Sequence, residues 1–166
     1  VGAGTVALGL AVGAYRNALE FAKEREQFGR PIAEFQGLQW MLADMSVQIE
    51  AARSLLHKAA LSAGQNGSPF PDPTLAAQGK IFTSEMALKV TNDALQMFGA
   101  RGYSRNYPME RLARDARMFT IGGGTAQILR TVVASRILEM KLPQTREGFL
   151  QMAEREASKK ALQAAE

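Results

Sequence analysis

The sequence contains no cysteine, which removes disulfides, thiolate metal sites and cysteine nucleophiles together and leaves nothing that points to an oxidising, secreted setting. Histidine occurs once, as His57, with Lys58 beside it and no second histidine or paired carboxylate motif, so an imidazole metal centre is not expected. Aromatic residues are scarce, at 7% with a single tryptophan. Long hydrophobic runs are missing too. The opening stretch VGAGTVALGLAVGAY reaches 15 residues before Arg16 and holds four glycines, too short and interrupted for a membrane span. It also lacks the basic leader and cleavage site of a signal peptide. Nor is there a block of like charge. The 20 basic and 16 acidic residues are interleaved, so the net charge of +4 gives a modest anion preference and no nucleic-acid arm.

What is present is the balance of one soluble domain: 166 residues, 46% hydrophobic and 22% charged, enough to bury a core. The expected location is a bacterial cytoplasm or a mitochondrial matrix. A chain that opens on valine inside an apolar periodic segment, with no cap before it, reads as a piece of something longer.

The periodicity predicts helices. Leu8, Leu10, Val12, Tyr15, Leu19 and Phe21 recur near the helical period across residues 6–24, with alanine and glycine between them that favour close packing against another helix. REQFGRPIAEF, broken by Gly29 and Pro31, reads as a structured connection and alternates too irregularly for a strand. From Phe35 the residues Leu38, Met41, Leu42, Met45, Ile49, Ala52, Leu56 and Ala59 hold helical spacing until Gly64. GQNGSPFPDP is a turn-rich linker, and residues 74–98 carry the next helical pattern through Ala77, Ile81, Ser84, Leu88, Val90, Leu95 and Met97. After GARGYSRNYP, Pro108 suits the first position of a short helix, MERLARDARMF. IGGGT is a run no helix interior would choose, and Thr125 can cap the helix AQILRTVVASRILEM, which Pro143 stops. Residues 145–166 form a polar, alanine-rich helix candidate, either an exposed appendage or partly frayed. No strand and no solenoid repeat is expected. The predicted fold is all-α: an antiparallel four-helix bundle, up-down-up-down, over residues 1–142, with an extra C-terminal helix in a polar tail over residues 143–166.

Three segments carry a family resemblance. REQFGRPIAEFQ (residues 25–36), QMFGARGYSRNYPMER (96–111) and RDARMFTIGGGTAQILR (114–130) together, in this order and separation, resemble the C-terminal helical-bundle domain of the acyl-CoA dehydrogenases. The resemblance implies a flavoenzyme that binds FAD and oxidises an acyl-CoA thioester to the 2,3-enoyl-CoA. It further implies a homo-oligomer, dimer or tetramer, and admits an electron-transfer flavoprotein as partner. By position, Arg25 and Gln27 would approach the pyrophosphate of a neighbouring subunit's FAD with Phe28 packing nearby. Gln96 and Gly99 would line that dinucleotide site across the interface, and Thr125 and Gln127 would sit near FAD on the last helix's first turn. The chemistry suits the parts: a guanidinium forks onto phosphate oxygens, and a helix start offers free amides. The plain alternatives are that Arg25 pairs with a surface carboxylate and that three glycines simply make a tight turn.

One position departs from the pattern. In much of the family a glutamate two residues before the threonine takes the substrate's alpha proton, and here that position is Gly123. Relatives with glycine there place the base on the first bundle helix, which in this numbering falls just upstream of Val1. No catalytic residue is therefore assigned within the chain, and the piece alone is expected to be inactive. Glu85, Asp93 and Asp115 are bases in principle, but Asp115, between Arg114 and Arg117, reads as an ion-pair partner. Met41, Met45, Met86 and Met97 read as core filler. Two other readings remain open: a catalytically silent partner subunit, and a flavin oxidase or monooxygenase acting on a substrate without CoA.

Overall fold

The computed structural model describes residues 1–65, 67–144 and 146–163; Asn66 of the linker and Thr145 and residues 164–166 of the tail lie outside them. The first helix, α1 (Gly2–Glu24), buries Ala7, Ala11, Ala14, Ala18 and Ala22 completely. Their spacing of three and four places five methyl groups on one face, and so thin a face lets another backbone come close. The partner is α3 (Pro73–Phe98), the central helix, which packs against α1, α2, α5 and α6. Helix α2 (Gln36–Leu61) contributes a stripe of Met45, Ile49, Ala52, Leu56 and Ala59. The approach is tight enough that a Cβ on Gly4 would lie 2.8 Å from Leu56 Cδ2.

Three contacts fix the directions. The rings of Phe21 and Phe98, at the C-terminal ends of α1 and α3, stack with centroids 4.0 Å apart. A Cβ on Gly4 would lie 3.7 Å from Lys80 Cα, so the N-terminal halves also meet and α1 runs alongside α3. Leu56, near the end of α2, meets Gly4 near the start of α1, so α2 runs the other way. Ser62 links α2 to α3: its hydroxyl donates to Ala59 O and accepts from Asp72 N. Asp72 then caps α3 by accepting from Leu75 N at 2.9 Å, with Pro73 in the first turn. The one-turn α4 (Ala100–Tyr103), then α5 (Met109–Met118) and α6 (Ala126–Ile137), complete the antiparallel four-helix bundle, with α7 (Arg146–Gln163) as the extra C-terminal helix. Met45, Met86 and Met97 are buried as expected of core filler. No helix among the described residues is long and apolar enough to cross a membrane.

The structure differs from the sequence expectation by the one-turn helix α4 in the stretch read as a break between helices, and in three further places. Helix α1 begins at Gly2, not near residue 6, because the close packing at Gly4 outweighs the low helix propensity of glycine. The connection after α1 does contain strand: β1 (Glu26–Gln27) pairs antiparallel with β2 (Arg30–Pro31), followed by a 3-10 turn at Ile32–Glu34. Phe28 and Gly29 take φ of 54° and 76°, the pair of left-handed residues a two-residue hairpin turn uses, and strands of two residues carry no readable alternation. Helix α6 stops at Ile137 and not at Met140. Glu139 adopts φ 52°, its amide donates to Arg136 O and that of Met140 to Ser135 O, a Schellman closure without the usual glycine.

Candidate functional site

The residues singled out by sequence fall on two surfaces. The first lies where α1 ends. Arg25 leaves the helix in extended conformation, its amide bonded to Phe21 O and its carbonyl accepting from Ile32 N, both at 2.8 Å. That places Gln27 and Phe28 on the hairpin. The Phe28 ring is 93% exposed, touches Phe35 edge-on at 6.1 Å, and sits on a residue in the left-handed region, which costs a non-glycine side chain roughly 1 kcal/mol or more. Arg30 lies over the Phe35 ring at 4.3 Å. Arg25 forms no ion pair among the described residues. The Phe21–Phe98 stack brings the end of α3 to the same place, and with it exposed Gln96 and Gly99, the latter at φ 58° where glycine is favoured.

The second surface lies at the other end of α3. Residues Gly122, Gly123 and Gly124 form the turn into α6, and Thr125 Oγ1 accepts from Ile128 N at 3.1 Å, the cap expected from sequence. Ala126 N returns to Thr120 O at 3.0 Å. The amides of Thr125 and Gln127 have no acceptor among the described residues, and the Gln127 side chain is exposed. A Cβ on Gly123 would lie 3.7 Å from the Cβ of Ala3, so this turn abuts the start of α1. Lys80, 4% exposed, donates to the carbonyl of Gly124. Lys80 and Gln96 are sixteen residues apart on one helix, so the two surfaces stand roughly 24 Å apart along its axis.

Two features of this region were not legible in the sequence. Arg130 of α6 forks onto Glu85 of α3 at 2.7 and 2.8 Å and holds its carboxyl below the usual range, tying the two helices together. Burial pushes the Lys80 ammonium down from the ordinary lysine value. A salt bridge forty-five residues apart leaves no local pattern, and Lys80 occupies a helical core position where an apolar residue is the default. Asp115 corrects the expectation: Arg114 turns back one helical turn to Glu110 at 2.7 Å, and Asp115 makes no ion pair among the described residues. His57 is exposed, and no group of three metal-ligating side chains occurs among the described residues.

Comparison with known proteins fits this geometry. The family model described as "Acyl-CoA dehydrogenase, C-terminal domain" matches residues 1–138. A 3-sulfinopropanoyl-CoA desulfinase of Cupriavidus necator is 69% identical over 150 residues, covering 90% of this chain and 37% of the relative. The short-chain acyl-CoA dehydrogenase of Clostridium acetobutylicum is 44% identical over 137 residues, covering 82% and 35%. Among solved structures, butyryl-CoA dehydrogenase from Megasphaera elsdenii superposes with a TM-score of 0.77 at 43% identity, over 82% of this chain and 35% of that one. The chain thus spans little over a third of the length of these relatives. With the helical bundle and the family model in agreement, the chain belongs to the acyl-CoA dehydrogenase family, as its C-terminal helical domain.

Proposed function

We propose that the protein works with FAD on an acyl-CoA thioester and that each copy of this domain serves two FAD sites in a dimer or tetramer. The separation of the two surfaces supports this. Arg25, Gln27, Phe28, Gln96 and Gly99 gather at one end of α3 and face a neighbouring subunit's dinucleotide, while Thr125 and Gln127, roughly 24 Å away, face the chain's own. The residues fit the group. The Arg25 guanidinium, without an ion pair among the described residues, forks onto pyrophosphate, the exposed Phe28 ring offers a flat apolar face, and the amides at the start of α6 that lack an acceptor among those residues donate to acceptor atoms. FAD, when bound, would supply two-electron chemistry for desaturation of the acyl chain, whereas removal of sulfinate involves no net electron transfer.

The reaction we favour is removal of sulfinate from carbon 3 of 3-sulfinopropanoyl-CoA, by likeness to desulfinases 66–69% identical to this chain. The observation that carries it is Gly123, at φ 68°, which puts no carboxylate where much of the family keeps its base. Desulfination breaks the carbon–sulfur bond, a proton from solvent takes the vacated place on carbon 3, and water hydrates the released sulfur dioxide to sulfite. No base is needed at carbon 2. The second reading is desaturation to the 2,3-enoyl-CoA with an electron-transfer flavoprotein as acceptor. It is favoured by the 3.7 Å between Ala3 and the Cβ direction at Gly123, since a carboxylate just before α1 then reaches the same space.

The test uses the full-length parent. Sulfite release from 3-sulfinopropanoyl-CoA, with no bleaching of flavin by saturated acyl-CoAs, is the expected result. Bleaching by propanoyl- or butanoyl-CoA without sulfite release establishes desaturation. A parent that binds FAD and does neither is a silent subunit or acts on a substrate without CoA.

A further inference from the structure

Lys80 is hard to explain as packing alone. It stands on the core face of α3 at 4% exposure, where burial works against its charge, and its ammonium donates to a backbone carbonyl forty-four residues away. The acceptor, Gly124, belongs to the left-handed pair Gly123 and Gly124, with φ of 68° and 88°. The other hydrogen bonds of this turn stay within residues 118–129: Gly122 N to Met118 O, Ala126 N to Thr120 O, and Ile128 N to Thr125 Oγ1. Among the described residues, the Lys80 bond is the one hydrogen bond that anchors the turn to a distant part of the chain. One turn along α3, the Thr83 hydroxyl is fully buried without a partner among the described residues, so this stretch carries more polar capacity than helix packing requires.

The planar trans peptide turns this anchor into an orienting device. In such a unit the carbonyl and the following N–H point in opposite directions. Fixing Gly124 O on the buried ammonium therefore turns the Thr125 N–H away from the core, and this amide has no acceptor among the described residues. We propose that Lys80 is a positioning residue of the cofactor site: its bond to Gly124 sets the Gly124–Thr125 peptide so that the Thr125 amide and the first turn of α6 face FAD. This rests on the reading that Thr125 and Gln127 face that cofactor.

The experiment compares full-length wild type with Lys80→Met, which keeps the side chain's length and removes the donor, and Lys80→Arg, which keeps a charged donor. FAD affinity of the apoprotein, amide exchange at residues 123–127 and apoprotein melting are measured together. Lys80→Met is expected to weaken FAD binding by roughly tenfold or more, the weight of a charge-assisted bond, and to speed exchange at Ala126, whose amide is held on Thr120 O. Its apoprotein melting stays equal or rises, because an apolar isostere relieves a buried charge; Lys80→Arg recovers affinity. Unchanged affinity and exchange in Lys80→Met overturn the proposal, as does an affinity loss that merely follows a fall in apoprotein melting. A wild-type parent that takes up no FAD overturns the function proposed above and the cofactor half of this inference, and exchange at Ala126 then decides whether Lys80 holds the turn.

Discussion

Gly102→Ala tests how closely the end of α3 packs on the turn that follows. A Cβ built on Gly102 lies 2.7 Å from the carbonyl oxygen of Leu95 and 2.7 Å from Phe98 Cβ. A carbon–oxygen contact ordinarily starts at ~3.3 Å, so the methyl group is too close by roughly 0.6 Å. The obstructing atoms are backbone and a Cβ, which no rotamer change can move. Either α4 shifts or the last turn of α3 opens, and in both cases Phe98 loses register with Phe21 and Tyr107. Overpacking of this kind costs about 1–3 kcal/mol, while replacing glycine by alanine returns about 0.4–1 kcal/mol through the unfolded chain. The net loss is roughly 1–2 kcal/mol, which lowers the melting temperature of a domain this size by roughly 2–6 °C. Thermal unfolding by far-UV circular dichroism reads it, with Gly9→Ala as comparator. Gly9 is exposed on α1 with nothing within 4 Å of its Cβ direction, so that change should stabilise by about 0.5–1 kcal/mol. If Gly102→Ala melts as high as Gly9→Ala, the close approach at α4 is not real.

Met45→Ala empties a fully buried site on the α2 stripe and should cost about 2–4 kcal/mol, measured by urea unfolding with an unchanged slope. Because Arg130 lowers the Glu85 carboxyl, that pair stabilises the fold above the unfolded carboxylate pKa of ~4.3, and the contribution fades as pH falls through the lower folded value. The side chains are 51% and 46% exposed, so the effect is only about 0.2–1 kcal/mol; melting of wild type and Glu85→Gln should converge on acidification. Gly123→Glu has room, its Cβ meeting Ala3 at an ordinary 3.7 Å, but φ of 68° penalises any side chain. It should fold with about 1–2 kcal/mol lost, and a melting temperature equal to wild type would show that the turn relaxes freely.

The long helices were legible because one stripe of small and apolar residues per helix suffices to announce them: Met45, Ile49, Ala52, Leu56 and Ala59 are both the pattern and the buried face. Thr125 behaves as the expected cap because the capping side chain and its acceptor role are local. Features decided by backbone conformation were not legible. Phe28 and Glu139 adopt left-handed φ without being glycine, and no composition rule predicts which bulky residue will be forced there. Long-range polar links were equally hidden: Lys80 to Gly124 and Glu85 to Arg130 join positions more than forty residues apart, each unremarkable in its own window. Of the candidate site, the residues were named by motif, but their division between two ends of α3 needed the Phe21–Phe98 and Lys80–Gly124 contacts.

The two ends are held by different forces, and that has a consequence for how they fail. Between them α1 and α3 meet along an alanine face, which buries little area per residue but fixes the distance between backbones. At the Arg25 end the aromatic rings of Phe21, Phe98 and Tyr107 supply the anchoring, with burial and stacking that salt scarcely touches. At the Thr125 end a buried ammonium and the Glu85–Arg130 pair do so, in one case through a charge kept from water and in the other through charges half exposed to it. Eighteen residues of continuous helix separate Lys80 from Phe98. Perturbations at opposite ends share no contact, so their effects on stability should add, and a departure from additivity would mean that the alanine face between them transmits strain.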